Sequence, residues 1–318
     1  MTAYKTAILF PGQGSQEKGM GRNLAENDRQ AMDIWKKAEK ISGHPLREIF
    51  WDGNQEDMSK TNFLQPALTV VSLNLWFHFK DKLQVQAMAG HSLGEYCALC
   101  SSGVLGVEQT LKLVSMRGRL MSESGRDSDG AMAAVLKLEQ SAVEELTEKI
   151  ADQTGQTIII ANYNTPRQFV VSGHLSAVKA LDALVKNSKG RLIMLPVSGA
   201  FHSPLMDEAA DQLAGIMKKY DWRTPCCDIF FNSTAESEKD PEKIRRIMQK
   251  QMNSPVYFIQ LINNIKKKGI TRFIEIGPKG VLTRMVPQIT GSAEDIIALS
   301  LSAPEDEDKL LTTIKEQG

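Results

Sequence analysis

Short apolar segments that end at glycine, proline or another turn-forming residue recur along the chain and alternate with longer amphipathic stretches. Four of these segments have the length and composition of buried parallel strands: residues 6–10, 85–89, 273–276 and 296–301. Helical patterns lie among them at residues 28–41, 107–123, 207–220 and 241–251. Strands that alternate with helices in this way predict an α/β fold with a mainly parallel sheet.

The middle of the chain follows a different order. After the polar stretch 125–130, the patterns read as strand, helix, two strands, helix and strand. The segments are residues 131–138, 141–154, 157–162, 168–172, 175–187 and 191–197. This β-α-β-β-α-β order is typical of a ferredoxin-like unit. We therefore expect residues 128–197 to form a small domain inserted into a larger, discontinuous domain of residues 1–127 and 198–318.

Composition excludes several classes of function. The 318 residues contain 38 Lys plus Arg and 38 Asp plus Glu, so no net charge favours binding to nucleic acid or to an anionic membrane surface. No apolar run approaches the roughly 18 residues of a membrane span. The start of the chain lacks a signal-peptide pattern, which favours a cytoplasmic location. The four cysteines are too few for a disulfide scaffold, and the Cys97/Cys100 pair is expected to be buried on one helix face.

The strongest local signal is the sequence Gly-His-Ser-Leu-Gly at residues 90–94, directly after a predicted strand and before a helical stretch. This is the setting of a nucleophile elbow, a sharp strand-to-helix turn that exposes a serine hydroxyl. The turn places that hydroxyl at a helix N-terminus, where backbone N–H groups stabilise negative charge. Ser92 is therefore the candidate nucleophile.

A nucleophilic serine needs a base, and the chain has five histidines, at positions 44, 78, 91, 174 and 202. His202 lies in a loop of small residues where the chain returns from the predicted small domain. Such a loop can bring an imidazole to the elbow. On position alone, a solvated loop histidine remains an equally good interpretation.

A glycine-rich loop at residues 10–16 follows the first predicted strand. It is not a dinucleotide-binding loop, because Glu17 stands where the third glycine is required, and Met20 stands where a phosphate loop needs lysine. The loop could instead present a backbone N–H to an oxyanion, together with the N–H of Leu93. An ordinary glycine turn is the alternative.

Several motifs in register resemble the malonyl-CoA:acyl carrier protein transacylase family. They are residues 10–16, 90–95, 116–118, 162–166 with 168–173, 199–203, Gln251 with 255–256, and 275–278. The resemblance covers essentially the whole chain. It implies a hydrolase-like α/β domain that carries a ferredoxin-like insertion.

The resemblance also implies catalytic roles. Ser92 would be the nucleophile and His202 the general base and then acid, with the backbone N–H groups of Gln13 and Leu93 as the oxyanion hole. The family orients its histidine with a backbone carbonyl, here that of Gln251, so no catalytic carboxylate is expected. A carbonyl that accepts from Nδ1–H also fixes the tautomer.

Substrate selection follows from the same resemblance. By pattern alone Arg117 is a surface arginine, but in this family it would bind the free malonyl carboxylate with two parallel hydrogen bonds and so select malonyl over acetyl. Phe201 would crowd the methyl group of methylmalonyl. Gln65 and Asn162 are also expected to contact substrate.

The implied reaction loads malonyl from malonyl-CoA onto Ser92 and passes it to the phosphopantetheine thiol of acyl carrier protein, in support of fatty acid synthesis. No bound cofactor, metal, nucleic acid or membrane is expected, and the family implies a monomer. Carrier docking would need local basic groups, for which the candidates are Lys186, Lys189, Arg191 and Lys279. The family more often has glycine before lysine where this chain has Lys279-Gly280.

Three alternatives remain open from the sequence. The same chemistry could serve a polyketide synthase carrier in trans. A serine esterase or lipase is a second possibility, although Arg117 and the missing orienting carboxylate do not favour it. An inactive homologue is the third, but it would require a broken site, whereas Ser92 and His202 are both present.

Overall fold

The computed structural model describes residues 5–127, 129–197, 199–291 and 296–315. Its strands are β1 (Thr6–Phe10), β2 (Val85–Gly90), β3 (Gly130–Leu136), β4 (Ile158–Thr165), β5 (Gln168–His174), β6 (Arg191–Met194), β7 (Asp228–Phe230), β8 (Ser237–Glu238), β9 (Arg272–Ile276) and β10 (Ile297–Leu301).

The helices are α1 (Arg22–Asn27), α2 (Arg29–Ser42), α3 (Gln55–Ser59), α4 (Thr61–Phe79), α5 (Gly94–Ser101), α6 (Val107–Asp127), α7 (Gln140–Thr154), α8 (Leu175–Asn187), α9 (Asp207–Met217), α10 (Pro241–Gln249), α11 (Phe258–Lys267), α12 (Val281–Thr290) and α13 (Glu307–Lys315). A short 3₁₀ turn at Gln251–Asn253 contributes to the site.

The larger sheet has six strands in the order β10-β9-β1-β2-β7-β8. Its first five strands are parallel, and β8 pairs antiparallel to β7. Both faces of β1 are buried: Ile8 and Phe10 pack into one hydrophobic cluster, while Ala7 and Leu9 pack into another. Burial on both faces explains why this strand is a continuous apolar run in the sequence. The predicted α/β fold with a mainly parallel sheet is confirmed.

The pairing of β1 with β2 brings two predicted motifs together. Phe10 stands opposite Gly90 in the register, and the N–H of His91 donates to the Phe10 carbonyl over 2.9 Å. Because the carboxyl ends of neighbouring parallel strands meet at one sheet edge, the glycine-rich loop after β1 lies beside the elbow after β2.

Helix α4 supplies much of the core beside this edge. It is apolar around most of its circumference and packs against α2, α5 and α6. Among the described residues, no helix is long and apolar enough to cross a bilayer.

The smaller sheet is made only from the middle of the chain, with strand order β4-β5-β3-β6 and antiparallel pairing throughout. The β-α-β-β-α-β order is confirmed. Strand β3 alternates between two faces: Ala133 and Val135 pack with α7 and α8, whereas Met132 faces the core of the larger unit. This alternation is expected of a strand covered on both faces by different layers.

Several element bounds differ by a few residues from the sequence-based expectation, and the domain boundaries lie outside the described residues. Strand β6 ends at Met194, three residues before the predicted end, although the N–H of Leu195 still donates to the Met132 carbonyl. Residues 128 and 198, where we draw the domain division, lie outside the described ranges, so that division remains a proposal.

Backbone hydrogen bonds at Val256 join the smaller sheet to the larger unit. Val256 accepts from the N–H of Tyr163 over 2.9 Å and donates to the Ala161 carbonyl over 2.8 Å, both in β4. Val256 follows closely after the 3₁₀ turn at Gln251–Asn253. The small sheet is therefore tied to the segment that orients the candidate base.

Candidate active site

Ser92 sits at the tight turn between β2 and α5. Its φ is 52°, in the left-handed region that non-glycine residues rarely adopt. The flanking glycines permit this turn: a Cβ on Gly90 would lie 1.9 Å from the Gly94 carbonyl carbon, and one on Gly94 would lie 2.0 Å from the Phe10 oxygen. The geometry is that of a nucleophile elbow.

His202 reaches this elbow from the loop before α9. Its Nε2 lies 2.7 Å from the Ser92 Oγ, and its own φ of 59° is also left-handed. Strained backbone at both residues is typical of catalytic positions that the surrounding structure holds in place.

Two backbone carbonyls face the other imidazole nitrogen. Nδ1 lies 3.1 Å from the Gln251 oxygen and 2.9 Å from the Ser254 oxygen. Both groups are acceptors, so Nδ1 carries the proton and Nε2 is left to accept the Ser92 proton. The sequence pointed to Gln251 alone, and the nearer carbonyl of Ser254 was missed because a backbone acceptor leaves no side-chain signature.

The imidazole is held in its neutral form. Burial, together with the positive charge of Arg117, lowers the pKa of His202 to about 3. A neutral Nε2 is thus available to accept a proton across the whole neutral pH range.

Arg117 is not at the surface, as its sequence pattern alone suggests, but 1% exposed on α6. Its Nη2 donates to the Ser92 Oγ over 3.1 Å, and its Nε donates to the Gln251 Oε1 over 3.2 Å. Its guanidinium carbon lies 5.7 Å from the centre of the Tyr96 ring. Burial lowers the pKa of Arg117. Because its hydrogen bonds go to a hydroxyl and an amide, its charge remains available to an anionic substrate.

A buried polar network supports these groups. The Asn232 side chain accepts from the Ser92 N–H over 2.6 Å and donates to the Gly90 carbonyl, also over 2.6 Å. Glu95 accepts from the N–H of Asn232 over 2.7 Å and from the Gln251 Nε2 over 2.9 Å. Burial raises the pKa of Glu95 to about 7.

The roles of Asn232 and Glu95 were not predicted from the sequence. Asn232 follows β7, a three-residue strand too short to show a pattern. Glu95 did have a signal, since it directly follows the second glycine of the elbow motif.

A cavity of about 240 Å³ opens onto Ser92 between the two sheets. Its walls include all the predicted pocket residues other than Gln251, namely Gln13, Gln65, Ser92, Leu93, Arg117, Asn162, Phe201 and His202. The small sheet adds Met132, Ala134, Gln168 and Val170. Among the described residues, neither the Gln13 N–H nor the Leu93 N–H has a hydrogen-bond acceptor, which suits an oxyanion hole.

The predicted docking residues lie outside this cavity. Lys189 is exposed after α8, Arg191 is exposed at the start of β6, and Lys279 is exposed two residues before the cavity residue Val281. Lys186 already pairs with Asp182 at 2.6 Å.

His91 lies beside the candidate nucleophile, but its imidazole hydrogen-bonds to Asn164 and not to Ser92, with Nε2 2.7 Å from the Asn164 Oδ1. Within the described ranges, no group of three or more His, Cys, Asp or Glu residues could hold a metal ion.

Comparisons with known proteins identify the family to which this chain belongs. A family model described as "Acyl transferase domain" matches residues 8–310. The malonyl CoA-acyl carrier protein transacylase of Bacillus subtilis (strain 168) is 35% identical over 315 residues, which is 98% of each chain. This chain belongs to the malonyl-CoA:acyl carrier protein transacylase family. It is an acyltransferase.

Solved transacylase structures share the fold. The malonyl CoA-acyl carrier protein transacylase from Coxiella burnetii matches with a TM-score of 0.91 and 32% identity, over 99% of this chain and 98% of that one. A malonyl-transacylase solved in complex with a holo type II PKS acyl-carrier protein matches with a TM-score of 0.89 and 32% identity, over 98% and 99%. The hydrolase-like architecture with a separate small antiparallel sheet is therefore that of the transacylase family.

Proposed function

We propose that this chain transfers the malonyl group from malonyl-CoA to the phosphopantetheine thiol of acyl carrier protein, through a covalent malonyl ester on Ser92. One observation carries the choice of acyl group: a buried arginine whose Nη2 lies 3.1 Å from the nucleophile. A guanidinium in this position pairs with a carboxylate close to the reacting carbonyl, as malonyl requires and acetyl does not.

In the loading step, Ser92 Oγ attacks the thioester carbonyl while its proton passes to His202 Nε2. The backbone N–H groups of Gln13 and Leu93 stabilise the oxyanion of the tetrahedral intermediate. The intermediate collapses, the C–S bond breaks, and the CoA sulfur takes the proton from His202. The product is a malonyl ester on Ser92 and free CoA.

In the transfer step, His202 accepts the proton of the carrier thiol, and the sulfur attacks the ester carbonyl. Breakage of the C–O bond returns the proton from His202 to Ser92 Oγ. Ser254 and Gln251 hold the imidazole in the tautomer that both steps need. These two steps use no bound cofactor. That the protein holds none stays a prediction.

The cavity walls supply further selectivity. Phe201 is 4% exposed beside the base and restricts space for a 2-methyl branch. Gln65 lines the cavity with an Oε1 that has no partner among the described residues, and Asn162 lines it from β4. These polar groups can hydrogen-bond the acyl or pantetheine chain, and leaving them unpaired would disfavour a ligand that lacks matching groups.

We propose that Lys189, Arg191 and Lys279 attract the acidic surface of the carrier, with a smaller contribution from Lys186 because it is already paired. We assign the carrier to fatty acid synthesis. A polyketide synthase carrier is the second candidate, since one structural relative was solved with a type II PKS acyl-carrier protein. A monomeric state and a cytoplasmic location remain predictions.

The proposal is tested by intact-protein mass spectrometry after brief mixing with malonyl-CoA or acetyl-CoA. We expect the native chain to gain the mass of one malonyl group, Ser92→Ala to gain none, and acetyl to load poorly. No adduct on the native chain, or an adduct that persists in Ser92→Ala, would contradict the covalent step. Rapid hydrolysis of p-nitrophenyl esters without a thiol acceptor would instead support an esterase.

A further inference from the structure

Glu95 occupies a central position among the groups that surround Ser92, although its carboxylate bonds to Asn232 and Gln251 and not to the Ser92 hydroxyl or the His202 imidazole. It is 1% exposed at the start of α5. Its two oxygens each accept one hydrogen bond, Oε1 from the backbone N–H of Asn232 and Oε2 from the side-chain amide of Gln251. Both partners are donors, which suits a carboxylate because it accepts at both oxygens.

Each partner of Glu95 also hydrogen-bonds to Ser92 or Arg117. Asn232 accepts the Ser92 N–H, and so fixes the elbow backbone. Gln251 donates from Nε2 to the Ser92 carbonyl over 2.8 Å and accepts from the Arg117 Nε at its Oε1. One amide thus stands between the carboxyl group of Glu95 and the guanidinium of Arg117.

The orientation of the Gln251 amide decides whether Arg117 is held. With Nε2 directed at Glu95, the Oε1 atom faces Arg117 and accepts its Nε–H. An amide turned the other way would direct its N–H₂ at the Arg117 donor and its oxygen at the Ser92 carbonyl. Both of those contacts are repulsive.

We propose that Glu95 is a positioning residue for malonyl selection: its carboxylate fixes the orientation of the Gln251 amide, which in turn holds Arg117 in place to receive the substrate carboxylate. Because Gln251 separates the two charges, Arg117 is aligned without being paired directly to Glu95. This inference rests on the proposed function, since it concerns the group that Arg117 binds.

The substitution Glu95→Gln tests the proposal with little change of shape. The amide introduced at position 95 has only one oxygen, whereas the carboxylate accepts one hydrogen bond at each of its two oxygens. Either the Asn232 N–H or the Gln251 amide therefore loses its acceptor. The Gln251 side chain can turn, whereas the Asn232 N–H is fixed in the backbone, so Gln251 is expected to reorient and release Arg117.

The measurement is the single-turnover rate constant for acylation of Ser92 by malonyl-CoA and by acetyl-CoA. For Glu95→Gln we expect malonyl loading to fall about 100-fold and acetyl loading by about tenfold or less, so that the malonyl-to-acetyl ratio falls at least about tenfold. A purely structural role would lower both rates together and leave the ratio unchanged.

Glu39→Gln is the matched control. Glu39 is a partly buried carboxylate that accepts hydrogen bonds from Arg47, away from the cavity. We expect this variant to lose stability and to keep the native malonyl-to-acetyl ratio.

A second variant keeps the proposal testable if Glu95→Gln does not fold. Gln251→Met removes the amide that joins Glu95 to Arg117 and retains the backbone carbonyl that faces His202. We expect the same selective loss of malonyl loading. A native ratio in either folded variant would overturn the role of Glu95, whereas failure of the native chain to load malonyl would overturn the proposed function instead.

Discussion

The Nη2 atom of Arg117 lies 3.1 Å from the Oγ of Ser92, so the group expected to bind the substrate carboxylate is in direct contact with the nucleophile. The same Oγ lies 2.7 Å from the His202 Nε2. A cation, a hydroxyl and a neutral imidazole therefore share one buried site. The charge of Arg117 consequently acts on the base as well as on the substrate.

We expect Arg117→Leu to move the acid limit of activity to higher pH. Burial and the charge of Arg117 together hold the pKa of His202 near 3, and the charge disfavours the protonated imidazole. Removal of that charge raises the pKa of His202, so the base becomes protonated and inactive at a higher pH than in the native chain. The rate of acetyl loading on Ser92, followed from pH 8 downward, measures this because acetyl does not use the Arg117 charge.

Arg119→Leu is the control for this measurement. Arg119 lies two residues further along α6, and its side chain is 58% exposed. Its removal should leave the pH profile unchanged. If the Arg117→Leu profile matched the native one, the charge of Arg117 would not control His202.

We expect Gly94→Ala to destabilise the protein by at least about 3 kcal/mol, because the added Cβ would lie 2.0 Å from the Phe10 carbonyl oxygen. The backbone at Gly94 cannot move away from Phe10 without separating the elbow from β1. Thermal or denaturant unfolding gives the change in the free energy of unfolding.

Gly215→Ala provides the comparison. Gly215 lies within α9, and an added Cβ there meets nothing within 4 Å. Alanine should therefore stabilise the helix by about 0.5–1 kcal/mol. Equal effects of the two substitutions would show that close packing at the elbow does not limit stability.

We expect charge reversal by Lys189→Glu with Arg191→Glu to raise the KM for carrier protein by about tenfold while the KM for malonyl-CoA stays within about twofold. Both side chains are exposed at the start of the edge strand β6 or just before it, and both lie outside the cavity. Steady-state kinetics with each substrate varied in turn separates the two constants.

The pair Lys218→Glu with Lys219→Glu makes the same change in net charge at the end of α9. It should leave the KM for carrier near the native value. A rise of equal size in both double variants would indicate long-range attraction by overall charge and not a docking site near β6.

Local patterns identified the elements whose residues alternate or run in a simple period. Strand β1 matched its predicted bounds because both of its faces are buried and its ends are marked by turn residues. Helix α4 was not identified as a helix, because a segment that is apolar on nearly all sides has no amphipathic period to detect. Strand β7 was missed because three residues are too few for a pattern.

Sequence by itself identified the candidate nucleophile, since Gly90 and Gly94 around Ser92 are required by the steric limits of a strand-to-helix turn. It also indicated the order of the β-α-β-β-α-β unit and, through the family resemblance, the candidate base. Tertiary structure decided which groups surround them. Burial of Arg117, the Ser254 carbonyl at His202 and the Glu95–Gln251 contact depend on segments more than 80 residues apart or on backbone atoms, and neither leaves a local signal in the chain.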